Sequence, residues 1–125
     1  MSVLGYGVNG RAEDAIGARL IAAYGATDGT VKQAAAATDK LIGVVELGAD
    51  TAGQITDIQR NGPTKVRYGA AVARGDYLTS DALGRAVPVE KPAADTTVYY
   101  IGQANVSGVE DDICFIDLAP GVLKG

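Results

Sequence analysis

The chain has 125 residues, 47 % of them hydrophobic but only 6 % aromatic, so one domain with a core of small aliphatic side chains is expected. A formal net charge of −4, with Lys and Arg scattered singly, argues against a nucleic-acid partner, because that affinity comes mostly from neutralising phosphates. The sequence contains no His, which removes the commonest general base and metal ligand.

The first ten residues, MSVLGYGVNG, are apolar yet rich in Gly. Val3, Leu4, Tyr6 and Val8 have no polar alternation, so residues 1–10 read as an extended arm that packs on its own domain or lies along a partner. Residues 11–125 read as a single β-rich domain. Arg11 to Tyr24 is open to two readings. Ala12, Ala15, Ile16 and Leu20 approximate one face of a helix, whereas comparison with a later stretch places Ala15–Ala18 in a loop and Arg19–Ala23 in a strand.

From there the chain reads as strands. Asp28-Gly29 turns into a strand at Thr30–Gln33. Ala34–Lys40 is an Ala-rich connector with room for one helical turn. Leu41–Glu46 is apolar on both faces and reads as a buried strand. Gln54–Gln59 is a strand in which the Ile55/Ile58 spacing implies a bulge. Asn61-Gly62-Pro63 is a breaker. Thr64–Tyr68 alternates, with Lys65 and Arg67 on one side and Val66 and Tyr68 on the other. Tyr77–Thr79 and Arg85–Val89 are the arms of a hairpin, the second an edge strand because Pro88 lacks an N–H. Thr96–Ala104 and Ile113–Leu118 are strands. Ala119-Pro120-Gly121 ends the fold and Val122–Gly125 is a tail. Short strands with Gly/Pro turns indicate a mainly β fold, a small barrel or sandwich.

The chain also repeats itself. Asp28-Gly29-Thr30-Val31 parallels Leu83-Gly84-Arg85-Ala86-Val87. Leu41-Ile42-Gly43-Val44-Val45 matches Tyr100-Ile101-Gly102-Gln103-Ala104, and Gln54–Ile58 matches Asp112–Asp117. Two related β units are therefore expected, with Thr30–Gln59 superposing on Arg85–Asp117.

Residues that could carry chemistry have structural readings. Cys114, between Ile113 and Phe115, is expected to be buried and inert, and a single Cys cannot form an internal disulfide. Glu110-Asp111-Asp112 reads as a solvated turn without calcium-loop spacing. Gly5–Gly10 has no strand before it and is no phosphate loop. Tyr99 and Tyr100 face opposite sides of a strand, so at most one is core and the other is available to a partner. The N-terminus lacks a signal-peptide pattern and no apolar run reaches bilayer length, so synthesis in a cytoplasm and no membrane partner are expected. No catalytic residue, metal site or cofactor is assigned.

The phrase Gly75-Asp76-Tyr77-Leu78-Thr79-Ser80-Asp81-Ala82-Leu83-Gly84-Arg85-Ala86-Val87, with Ile101-Gly102-Gln103-Ala104 after it, resembles the capsid cement, or head decoration, proteins of tailed bacteriophages. The resemblance covers roughly Ala15 to Pro120. It implies a virion protein on the outer surface of the head, a homotrimer or else a dimer, that bridges major capsid protein subunits without catalysis or a cofactor. The capsid contact is then expected from the arm (Val3, Leu4, Tyr6, Val8, ordered only on a partner) and from Lys65 and Arg67. A phage tail or baseplate barrel, and a small β-barrel enzyme or ligand-binding domain with converging acids, are the alternatives.

Overall fold

Turn residues punctuate the chain at short intervals, and the aliphatic and β-branched runs between them become strands. The structure, a computed structural model, describes residues 7–124, and every regular element in that range is a strand. β1 (Gly7–Ala12), β2 (Ile21–Tyr24), β3 (Thr30–Gln33), β4 (Leu41–Val45) and β5 (Ile55–Gln59) form a closed barrel in the order β1-β3-β2-β4-β5. β6 (Gly62–Arg67), β7 (Tyr77–Ser80), β8 (Ala86–Pro88), β9 (Thr97–Ala104) and β10 (Ile113–Lys124) form a sheet in the order β6-β10-β9-β7-β8. The expected β-barrel domain built from two related units is therefore what the chain forms.

The repeat extends to individual hydrogen bonds. Ile16 and Ala49 exchange both backbone bonds at 2.9 Å, as do Val72 and Gly108 at 2.9 and 3.0 Å. The Ala12 N–H donates to the Gln54 C=O at 2.9 Å, and the Tyr68 N–H donates to the Asp112 C=O at 2.8 Å. Gly43 and Gly102 occupy one role in the two units. A Cβ on Gly43 would lie 1.9 Å from the Gln59 carbonyl oxygen, and one on Gly102 would lie 1.9 Å from that of Asp117. This close backbone approach is the physical content of the two Ile-Gly phrases, with Ile42 and Ile101 buried beside them.

Corresponding core positions exchange volume. Ala12, Ala22, Val31, Val45 and Ala49 in the first barrel stand where Tyr68, Leu78, Ala86, Ala104 and Gly108 stand in the second. The Tyr68 ring takes the space of the missing side chain at Gly108, where a Cβ would meet its Cδ2 at 2.8 Å. Both interiors are thus filled by different residues at matching positions.

One difference joins the units. In the first barrel the seam between β1 and β3 is closed by the Arg11 N–H donating to the Gly29 C=O at 2.9 Å. At the matching seam of the second unit, β6 and β8 meet only at the Tyr68–Ala86 bridge. There Arg19–Ile21 of the first unit is wedged in. The Arg67 N–H donates to the Arg19 C=O at 2.9 Å, and the Ile21 N–H donates to the Gly84 C=O at 2.8 Å. Ile21, Ala23, Leu41 and Val44, which lie outside the first barrel, are buried by this contact in the core of the second. That explains why all five residues of β4 are buried. Gln59 staples the crossing between units, its Nε2 donating to the Asn61 and Pro63 carbonyls at 3.0 and 2.8 Å.

Several local expectations are corrected. Of the two readings of residues 11–24 the loop-then-strand one holds: there is no helix, and between Ala12, the end of β1, and Tyr24 the strand is Ile21–Tyr24. Ala34–Lys40 has no helical turn; the Ala35 N–H instead donates to Asp39 Oδ2 at 2.9 Å. β5 has no bulge, because β1 pairs with it in unbroken register from Gly7↔Gln59 to Arg11↔Ile55, which turns Ile55 outward. Val122–Lys124 is no tail: β10 continues past a register shift between Leu118 and Gly121, and Gly121 pairs with Tyr100. Gly7–Gly10, read as the end of the arm, belong to β1. β8 is the sheet edge expected from Pro88.

Gly43→Ala and Gly102→Ala should each destabilise the fold by about 3 kcal/mol or more, because the clash is with hydrogen-bonded backbone that cannot yield. Urea unfolding measures both, and a loss at only one would break the equivalence. Tyr68, whose hydroxyl donates to the Val106 C=O at 2.8 Å, has its pKa pushed up to about 12 by burial first and by Cys114, Asp112 and Asp76 after it. Its contribution to stability is full below its ordinary value of 10.0 and is lost as pH rises toward 12. An absorbance titration should show a late tyrosine that Tyr68→Phe removes.

Candidate functional site

Period two sets the outer face of the second sheet. Lys65 and Arg67 point outward from β6 while Thr64, Val66 and Tyr68 point in. On β10 the same alternation turns Cys114, Ile116 and Leu118 inward and Ile113, Phe115 and Asp117 outward. Register then places Phe115 beside Lys65 and Ile113 beside Arg67. The Lys65 Nζ sits 5.0 Å from the Phe115 ring centroid, a cation–π distance. Phe115 is 49 % exposed and Ile113 45 %, so the patch is a basic edge over an apolar floor.

The acidic turn beside it is engaged in ion pairs. Arg85 places Nε 2.9 Å from Asp81, and its Nη1 lies 3.0 Å from Glu110 and 3.4 Å from Asp111. Arg67 approaches the same Asp111 carboxylate at 3.9 Å. These partners, the hydrogen bond to Asp81 foremost, raise the pKa of Arg85 further and keep it charged. Asp81 also builds the hairpin turn, its Oδ1 accepting from the Leu83 and Arg85 N–H groups at 2.9 and 2.8 Å. The Ser80–Arg85 phrase is therefore turn architecture, and Gly84 is the acceptor at the seam between units.

Of the residues expected at a binding surface, Lys65 and Arg67 share this face. Val3, Leu4 and Tyr6 lie outside the described residues. Val8 is in β1, paired with Ile58, in a different sheet from Lys65. The sequence reading missed Ile113 and Phe115 as surface residues, although Asp117 on the same side of the alternation marks that face as outward. It also missed the partner of Tyr100. Tyr99 packs on the core, whereas Tyr100 meets Tyr77 edge-on at 5.3 Å.

Cys114 is half-buried rather than buried, packed against the core near the start of β10. Burial, then the Asp112 charge, raises its pKa and favours the thiol over the nucleophilic thiolate. Among the described residues no three His, Cys, Asp or Glu side chains gather as a metal site. An open hollow is lined, among the described residues, by Gly10, Arg11, Gly29 and Ile55, none of them a carboxylate.

No family model matches the chain, and no curated protein does. A solved structure does. The crystal structure of head fiber gp8.5 N base in bacteriophage phi29 aligns with 91 % of this chain and 93 % of its own, at a TM-score of 0.68 and 22 % identity. The two proteins share a fold. At that identity the likeness speaks for the arrangement of strands, and it includes both units because it spans nearly the whole chain.

Native Cys114 should react with a thiol reagent more slowly than a free cysteine at neutral pH, accelerating as pH rises past the ordinary thiol range. Asp112→Asn should speed the reaction by lowering the pKa. Labelling as fast as in urea would contradict this packing.

Proposed function

We propose that the protein is a structural component of a phage head, of the cement or decoration type, that binds the outer capsid surface as a homotrimer and links major capsid protein subunits. The observation that carries this reading is the fold shared, over nine tenths of its length, with a phage head-fibre base. The Gly75–Val87 phrase, which resembles the cement proteins, supports it independently. The acidic balance of the chain fits a partner other than the packaged DNA.

The face formed by Lys65, Arg67, Ile113 and Phe115 is the capsid contact. It offers apolar area to be covered and cations to meet an acidic surface, and it stands on sheet strands that hold it rigid. The arm before β1, through Val3, Leu4 and Tyr6, adds to that contact. Each subunit supplies a modest interaction, and the oligomer multiplies them through effective concentration. Because only the assembled lattice presents all the sites together, binding stabilises the lattice by mass action.

Heads stripped of the protein should release DNA at a lower temperature than heads to which it has been restored. Equal temperatures would remove the reinforcing role. Lys65→Glu with Phe115→Ala, costing about 1 kcal/mol per subunit, should weaken head binding by a trimer on the order of a hundredfold. Unchanged binding would place the contact elsewhere.

A further inference from the structure

The two units use equivalent surfaces unequally. In the first unit, Ile21 and Val44 pair across β2 and β4 and, with Leu41, are buried beneath the second unit. The residues at those positions in the second unit are Tyr77, Gln103 and Tyr100, with Tyr77 and Gln103 paired across β7 and β9. Among the described residues Tyr77 is 51 % exposed and its ring leans on Tyr100, which is half-buried beside Gly121, while the Gln103 Nε2 donates to the Gly75 C=O at 2.8 Å. The receiving side shows the reverse. The second unit accepts the Arg19–Ile21 wedge at Arg67 and Gly84. Their counterparts in the first unit, Arg11 and Gly29, line an open hollow with Gly10 and Ile55, and Ile55 is 60 % exposed. Among the described residues the molecule thus presents a partly exposed copy of its own docking face in one unit and, over a seam already closed by hydrogen bonds, an open hollow at the matching place in the other.

We propose that copies of this chain join head to tail, the Tyr77–Tyr100 face of one seating in the Arg11–Gly29–Ile55 hollow of the next. The contact brings together the counterparts of the surfaces that join the two units within a chain, through side chains and without the backbone insertion. It deepens the self-association in the reading above and does not depend on the capsid partner.

The chemistry fits that occupant. The two surfaces differ from one another, so they pair heterologously, and such a contact closes a ring when the rotation between copies allows it. The Arg11 N–H is already donated to the Gly29 C=O, so the next copy inserts no backbone and the first barrel stays closed. Side chains make the contact instead, and the longer Tyr at the Ile21 position reaches in from outside. Tyrosine offers a broad apolar ring with a hydroxyl that tolerates water before assembly. The Arg11 guanidinium, held at the rim by Nη1 donating to the Gly53 C=O at 2.8 Å, is placed to meet a ring face.

The test uses full-length protein in a Cys114→Ser background with two single variants, Tyr77→Cys and Ile55→Cys, and a short bifunctional maleimide. The two variants mixed should cross-link to each other, and each alone should not. Tyr77→Glu with Tyr100→Glu should keep the melting profile of a folded protein and lose the oligomer seen by sedimentation of the wild type. Cross-linking of Tyr77→Cys with itself, a monomeric wild type at micromolar concentration, or an oligomer unaffected by the two Glu substitutions would overturn the proposal. Head binding is measured on the same preparations. A cross-linked oligomer that ignores heads sinks the capsid reading alone, and a head-binding protein without the cross-link sinks this one alone.

Discussion

The structure depends on one backbone substitution. In the first barrel the Arg11 N–H of β1 meets the carbonyl of Gly29, just before β3; in the second unit the corresponding groups of Arg67 and Gly84 are parted and satisfied by Arg19 and Ile21. Buried backbone donors and acceptors must be paired, so the second seam cannot stay open without the wedge. The wedge also carries Ile21 into the second core, where a fully buried Ile contributes roughly 1.5–3 kcal/mol. The second unit is therefore completed by the first, and the chain behaves as one body although its sequence is duplicated.

Duplication alone would give two equal barrels, and the sequence differences show how they diverged in role. Arg19 adopts φ 61° where the second unit has Gly75 at φ 93°, a left-handed turn that Gly accepts and Arg holds under constraint. Tyr68 against Gly108, in place of Ala12 against Ala49, gives the second core a large anchor. The outer face of the first unit is aliphatic where it is covered, whereas that of the second is aromatic and polar where it meets water.

These differences give the surface its functional character. The sheet that carries Lys65, Arg67, Ile113 and Phe115 faces away from the barrel interior, and the Arg85 network pins the turn at its margin. The patch mixes apolar area with a few cations on adjacent, hydrogen-bonded strands. The Gly75–Val87 phrase builds the hairpin turn through Asp81 and supplies the Gly84 acceptor at the seam.

The amino-acid sequence by itself determined the strands from Thr30 to Leu118, their inward and outward residues from Thr64 to Tyr68, the edge role of Pro88 and the existence of a repeat. Each of these rests on local periodicity, turn chemistry or self-comparison. It left Ile113 and Phe115 hidden in what read as a core strand, although Asp117 carried the signal. It also ended the fold at Pro120, because a proline in a strand looks like a stop until β9 is seen to pair beyond it. Only the tertiary structure decided which of two equivalent seams opens and which of two equivalent faces is covered. Both outcomes depend on contacts between residues far apart in the chain, where Ile21 and Tyr77 hold the same local position yet one meets a neighbouring unit and the other meets solvent.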